Sequence, residues 1–323
     1  MKAICVFSGG LDSMLSAEIV RAQGIDILGI FFETPFFSSK RAVISAASMG
    51  LPFKVIDITE RHLEVVRRPR HGYGGNMNPC IDCHALMFRI AGELLSQEGA
   101  SFIVTGEVLG QRPMSQNMAS LNLTAKESGF ANLILRPLSA RRLPVTLPEE
   151  KGWINRDLLL DFHGRSRKPQ MALASRLGIK DYPAPAGGCL LTEKVFSRRL
   201  KDLFENMDDV LIRDIELLKL GRHFKVAPGT KAVVGRNKKE NKTIVAHSRD
   251  SDLLLSIVGI PGPTVIVTGR NPFESVQVAG SITAAYSDAK QGEDVTVRIV
   301  SGKRESFMKT TVTEKRTFRD FML

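Results

Sequence analysis

The sequence predicts an α/β protein: a doubly wound parallel sheet joined to a second, smaller α+β domain. Three observations carry that expectation. Apolar runs of strand length alternate with amphipathic segments of helical length over the first half of the chain. A polar Gly-Gly turn follows the first of those runs directly. Beyond about residue 205 the pattern changes to short β-rich runs. At 323 residues the chain is long enough to give each domain its own core.

The first run, "AICVFS" (3–8), reads as a buried strand, and Leu11 to Gln23 as an amphipathic helix ended by Gly24. "IDILGIFF" is a second strand and "KRAVISAASMG" a helix closed by Gly50. "FKVIDIT" is a third, with Thr59 a candidate cap for the helix "ERHLEVVRR". The polar loop "RRPRHGYGGNMN" leads into the helix "PCIDCHALMFRIAGELLSQEG", and "SFIVTG" and "ANLILRPL" are two more strands. Such alternation builds parallel strands with right-handed crossovers. "DYPAPAGGCLLTE" marks a turn or domain edge, since its prolines and glycines cannot extend a helix. After a helix around "SRRLKDLFENM" come the β-rich runs "KAVVGR", "TIVAHS", "DLLLSIV", "PTVIVTG" and "EDVTVRIVSG", interrupted by the helix "ESVQVAGSITAAYSDAKQG". The expected domains are 1–205 and 206–323.

A hydrophobic content of 43% with 24% charged residues is that of an ordinary soluble globular protein. No apolar run approaches the ~20 residues needed to span a bilayer. "MKAICVFSGG" turns glycine-rich before a signal peptide could form. The expectation is a cytoplasmic protein with no membrane partner, whose cysteines serve catalysis or metal binding rather than disulfides. The net charge of +11 points to a polyanionic partner, nucleic acid ahead of membrane because no basic amphipathic helix stands out. Solubility through self-repulsion is the alternative. One tryptophan, Trp153, and three tyrosines argue against a broad stacking surface for single strands, so shape and backbone recognition suit the composition better.

In "VFSGGLDSMLSAEI" a strand, a Gly-Gly turn and a helix make an anion site. Backbone N–H groups of Gly9 and Gly10 can approach phosphate oxygens, and the helix start adds partial positive charge. Ser8 and Ser13 can donate hydroxyls, and Asp12 can hold a Mg²⁺ bridging phosphate oxygens. The lysine of a Walker loop is missing. "TGEVLGQRPMSQN" follows another strand's carboxyl end, where open α/β sheets place ligands. There Glu107 either touches metal or nucleotide, or is a solvated acid.

Cys80 and Cys83 stand at i and i+3 in the first turn of a helix, with Pro79 suited to its first position and Asn78 to its cap. The helix N-terminus is expected to lower their pKa and favour a nucleophilic or metal-binding thiolate. Cys189 lies beside Gly187 and Gly188, which would let the backbone approach another group closely. Cys5, inside the first strand, reads as core. A zinc site would need a fourth ligand, and His84 adjoins Cys83 awkwardly for one ion. His62, His71, His163, His223 and His247 lack ligand spacing and read as surface or loop residues. Arg165, Arg167 and Lys168 could hold RNA phosphates or be a solvated helix entry, as could Arg198, Arg199 and Lys201. Gly235 to Asn241, with Arg236, Lys238 and Lys239, read as a polar turn between strands.

"SGGLDS" resembles the PP-loop of ATP pyrophosphatases, and "TGEVLGQRPMSQN" is similar to the "TGESLGQ…SQ" segment of their 4-thiouridine synthase (ThiI) branch, with Arg112 and Pro113 replacing small residues. This resemblance covers roughly residues 3–205 and implies an adenine nucleotide alpha hydrolase-like fold. It also implies that Thr105 and Gly106 line the adenosine of ATP. The "PCIDC…MF" helix and a distal cysteine are similar to those of the thiouridine-forming members. In that family such cysteines either carry and resolve a persulfide, Cys80 or Cys83 with Cys189, or bind a 4Fe–4S cluster whose open iron holds hydrosulfide. "VGRNKKEN" followed by "IPGPTVIV" resembles the NFACT-R RNA-binding domain, from about Val226 onward. The likeness begins at the first strand, so the THUMP RNA-binding module of ThiI is expected to be absent and the basic C-terminal domain to replace it.

The resemblance implies an ATP-dependent tRNA sulfurtransferase. It would adenylate a uridine carbonyl and replace its oxygen with sulfur, with tRNA and a sulfur donor, cysteine desulfurase or sulfide, as partners. The rivals are a PP-loop enzyme acting on a small-molecule carbonyl, and a non-catalytic, ribosome-associated RNA-binding protein.

Overall fold

Side chains on the first strand alternate between two buried surfaces: Ala3, Cys5 and Phe7 enter one apolar cluster and Ile4 another. A strand buried on both faces belongs inside a sheet with helices on either side. In this computed structural model, which describes residues 1–184 and 189–323, the chain divides into two units, Met1–Thr192 and Glu193–Leu323. The expected close approach at Gly187 and Gly188 lies outside the described residues.

The first unit runs β1 (Lys2–Val6), α1 (Leu11–Arg21), β2 (Asp26–Glu33), α2 (Lys40–Ser48), β3 (Phe53–Asp57), α3 (Thr59–Arg67), α4 (Cys80–Glu93), β4 (Phe102–Thr105), α5 (Met118–Ser128), β5 (Ile134–Leu135), α6 (Leu147–Glu150) and α7 (Lys168–Arg176). Its five strands are parallel, in the order β3-β2-β1-β4-β5. Met14, Ala17 and Val20 of α1 cover one face; Leu86, Phe88 and Ile90 of α4 cover the other. The chain moves outward from β1 through β2 and β3, then returns to β1's other side with β4. Loops after β1 and β4 therefore leave in opposite directions and open a crevice at the strands' carboxyl ends.

Three local expectations shift. Thr59 lies inside α3, and the carboxylate of Asp57 caps the chain there by accepting from the Thr59 N–H at 2.7 Å. The cysteine helix starts at Cys80, with Pro79 as its flanking residue. Of "ANLILRPL" only Ile134 and Leu135 pair, because a 3-10 turn precedes them and Pro137 has no N–H for a ladder. Helix α5 carried no sequence expectation at all.

The second unit holds α8 (Lys194–Asn206), α9 (Ile212–Leu218), β6 (Arg222–Ala227), β7 (Thr230–Val234), α10 (Lys238–Ala246), β8 (Leu253–Ile257), β9 (Val265–Gly269), α11 (Val276–Ala285), β10 (Asp294–Ser301) and β11 (Arg304–Thr311). Its sheet is antiparallel, in the order β11-β10-β8-β9-β7-β6. Two expectations are corrected here. Helix α8 belongs to this unit and not to 1–205, because Asp202 on it pairs with Lys225 of β6 at 2.9 Å and Lys231 of β7 at 2.8 Å. "TIVAHS" is no strand, and the turn before it opens a helix. Asn237 accepts from the Glu240 N–H at 3.0 Å, and Glu240 accepts from the Arg236 N–H at 2.8 Å. This cap starts α10, and the β-branched run Thr243-Ile244-Val245 follows as helix with only Ile244 buried.

Candidate active site

The turn after β1 is built by backbone that only glycine tolerates. Gly9 has φ +72°, and a Cβ there would lie 2.6 Å from the Ala42 Cα. Gly10 precedes α1 without any side-chain cap, so the first N–H groups of that helix face outward as donors. Ser13 Oγ donates to the Gly10 carbonyl at 2.8 Å and stands 3.3 Å from the exposed Ser8 Oγ. Across the crevice, a Cβ at Gly106 would lie 2.6 Å from Ser13 N. The end of β4, with Thr105 buried, thus packs directly on the Gly-Gly loop. Gly106→Ala is expected to destabilise the unit by about 1–3 kcal/mol and to weaken the ATP binding that the resemblance implies. A thermal melt with ATP titration checks this, and an unaltered variant would mean the loops are free to separate.

Asp12 is the polar centre of the crevice. Burial pushes its carboxyl pKa up, opposed by the Gln111 amide and by Arg167 and Arg112. Its Oδ2 accepts from Gln111 Nε2 at 2.9 Å. Its Oδ1 is buried without a partner among the described residues, as are Gln111 Oε1, Gln170 Oε1 and Arg167 Nε. Gln170 and Arg167 both bear on Asp12. Orphaned buried oxygens and an unpaired carboxylate atom fit Mg²⁺ with a polyphosphate. Arg167, expected on RNA, faces this site, while Arg165 and Lys168 are exposed.

The three candidate cysteines converge. Cys83 is disfavoured as a thiolate by burial and then by Cys189 and Cys80, and Cys189 by burial and by Cys80. Burial likewise pushes Cys80 up, against Arg112 and hydrogen bonds from Asn78 and Ser115. This corrects the expectation of lowered pKa values: the thiols do stand at a helix start, but desolvation outweighs its partial charge. Among the described residues no group of three or more His, Cys, Asp and Glu side chains is spaced to hold a metal ion. Neutral thiols have no electrostatic reason to converge further. The donor type suits an iron–sulfur cluster, since a cation would deprotonate the thiols, but the spacing of the three side chains does not hold one. Cys5 is core, its pKa pushed up to about 12 by burial.

Several histidines and one acid play other parts than expected. His62 is fully buried, packs edge-on against Phe37, and meets Cys83 Sγ with Nε2 at 3.0 Å. Burial lowers its pKa to about 4, so it is neutral. His71 Nδ1 pairs with Asp82 at 2.8 Å. His223 is buried between carbonyls of Leu217 and Leu220. Glu107 is neither solvated nor a free ligand. His84 Nδ1 and Arg136 Nε both bond to it at 2.8 Å, and its pKa falls because their charges outweigh its burial.

Sequence reasoning missed Arg112, which bears on both Asp12 and Cys80. Its only signal was that it stands where the resembled segment has a small residue. In the second unit Arg236 is held by Glu240, with Nε–Oε1 at 3.0 Å, while Lys238 and Lys239 are exposed in the first turn of α10. Arg199 is structural, donating to the Leu218 carbonyl at 2.8 Å. No helix among the described residues is long and apolar enough to cross a membrane.

Residues 1–141 match the family described as thiamine biosynthesis protein (ThiI), and residues 221–322 that described as NFACT protein RNA binding domain. A probable tRNA sulfurtransferase of Caldanaerobacter subterraneus subsp. tengcongensis is 29% identical over 146 residues, covering 42% of this chain and 36% of the relative. A tRNA sulfurtransferase of Desulfurococcus amylolyticus is 24% identical over 287 residues, covering 84% of this chain and 49% of the relative. A solved 4-thiouridine synthetase–RNA complex with bound ATP aligns at 25% identity over 42% of this chain and 36% of that one, with a TM-score of 0.34. The chain spans less than half the length of these two curated relatives.

Proposed function

We propose that this chain, with a ThiI-family domain over residues 1–141 and an NFACT RNA-binding domain over 221–322, is an ATP-dependent tRNA sulfurtransferase. One observation carries the reading: the loop after β4 touches both sites, with Gln111 donating to Asp12 at 2.9 Å and Glu107 bonded at 2.8 Å to His84, the neighbour of Cys83 on α4. An enzyme that first adenylates and then thiolates the same atom needs that adjacency.

Ser8, Gly9, Gly10 and Ser13 hold the β- and γ-phosphates, Asp12 takes Mg²⁺, and Thr105 and Gly106 flank the adenosine. The uridine carbonyl oxygen attacks the α-phosphorus, and pyrophosphate leaves with the bridging electron pair. The base then carries AMP as a leaving group. The terminal sulfur of a persulfide on Cys80 attacks the base carbon, and AMP departs with the former carbonyl oxygen. Cys189 attacks Cys80 Sγ, which frees the thiolated base and leaves a Cys80–Cys189 disulfide for a cellular dithiol to reduce. Neutral His62, with Nε2 3.0 Å from Cys83 Sγ, packs on that cysteine rather than on Cys80. Were a cluster to form, Cys80, Cys83 and Cys189 would be its donors, and its chemistry would be to carry inorganic sulfide. A cysteine desulfurase persulfide passes its terminal sulfur to the Cys80 thiolate by exchange, whereas inorganic sulfide would enter only through a bound cluster.

The test is pyrophosphate release from ATP with and without unmodified tRNA, followed by nucleoside mass spectrometry. Release that depends on tRNA, with thiouridine formed when a cysteine desulfurase, cysteine and a dithiol are supplied, supports the reading. Release driven by a small carbonyl compound and indifferent to tRNA would replace it.

A further inference from the structure

One face of the second unit's sheet is covered at its β7–β9 end and becomes exposed toward β11. Val234, Leu255, Val267 and Val297 point into the core with α11. Val233 and Ile266 point the other way, under Leu217 of α9 and Ile244 of α10. The register carries that outward parity across the sheet. Ile266 is opposite Leu254, Leu254 opposite Val300 and Ser256 opposite Arg298. On the last strand Phe307 is opposite Arg298, and Lys309 opposite Thr296. There the cover ends, for Arg298 and Lys309 are exposed and Phe307 is 59% exposed.

The neighbouring residues show that this is the strand's chosen register. Met308 and Thr310 face α11: a Cβ at Gly280 would lie 2.6 Å from Met308 Sδ, and Thr310 Oγ1 is 3.3 Å from Ser281 Oγ. A single exposed apolar residue is ordinary. Phe307 differs in its setting. It stands opposite an arginine that Glu305 holds in place, with Lys309 two residues along and Lys303 and Arg304 exposed at the hairpin end.

We propose that this β8–β10–β11 face is a stacking platform for one unpaired nucleobase of RNA. The Phe307 ring takes the base, and Lys303, Arg304 and Lys309 take the flanking phosphates. Sheet faces that present an aromatic among cations bind single-stranded RNA in this way. One ring makes a one-base platform, which the low aromatic content allows. The face is separate from the Arg236–Asn241 turn, whose arginine is already paired. The proposal rests on the RNA-binding reading of residues 221–322.

The test uses the full chain and two labelled probes at fixed salt, a uridine oligonucleotide and a fully paired RNA duplex of equal length. Fluorescence anisotropy is expected to show Phe307→Ala weakening the single strand about tenfold and leaving the duplex unchanged. Phe307→Trp should restore the affinity, and its emission should be quenched as the single strand binds. Phe307→Ala binding the single strand as tightly as wild type overturns the platform, as does an equal loss for both probes. A fall in oligomeric mass in Phe307→Ala with RNA affinity intact would assign the face to a second copy and overturn it too. Wild type that binds neither probe overturns the RNA reading itself, and this proposal with it.

Discussion

Asp12→Ala is expected to lower pyrophosphate release by roughly 10²–10³-fold or more while leaving RNA affinity unchanged. Asp12 is half buried, one oxygen is engaged by Gln111, and the other has no partner among the described residues. Protein contacts alone do not repay the cost of desolvating that carboxylate, and its pKa rises accordingly. A cation would repay it, and would also neutralise phosphate charge during adenylation. Asp12→Asn separates the two roles, since it keeps a group that can bond to Gln111 but loses the charge. Equal loss in both variants supports cation binding. Near-normal release by Asp12→Asn would reduce Asp12 to a positioning contact for Gln111.

Cys189→Ala is expected to release pyrophosphate normally and to form thiouridine only at background level. It should also change the thiols it leaves behind. Cys189 raises the pKa of Cys83 by like-charge repulsion, second only to burial. Removing it must therefore lower that pKa, and alkylation of Cys83 should begin at lower pH than in wild type. Mass-mapped iodoacetamide labelling against pH reads this without reference to activity. An unshifted profile would show that the two cysteines do not share a site. Thiouridine formed at the wild-type rate would remove Cys189 from sulfur transfer.

Much of the first unit was legible because its signals are local. The run Ala3–Phe7, the Gly-Gly turn and the helix from Leu11 are contiguous, and each follows from periodicity or backbone sterics. The same holds for the helix that presents Cys80 and Cys83. In the second unit α10 was misread, since β-branched residues suggest a strand until the Asn237–Glu240 cap is seen to start a helix upstream of them. Helix α8 was assigned to the wrong unit because what holds it, Asp202 with Lys225 and Lys231, is a contact between distant residues.

The chemistry divides along the same line. Residue type and short spacing by themselves determined that this protein has a strand–Gly-Gly–helix loop without a Walker lysine, paired helix-start cysteines and a basic C-terminal half. Only the tertiary structure decided the environments of those groups. It buried Glu107 between His84 and Arg136, set neutral His62 on Cys83, and bonded Gln111 to Asp12. It also raised the thiol pKa values that a helix start alone would lower. The physical reason is range. Propensity and capping act over a few neighbouring residues, whereas desolvation and Coulomb interactions depend on every group that folding brings near, however distant in the chain.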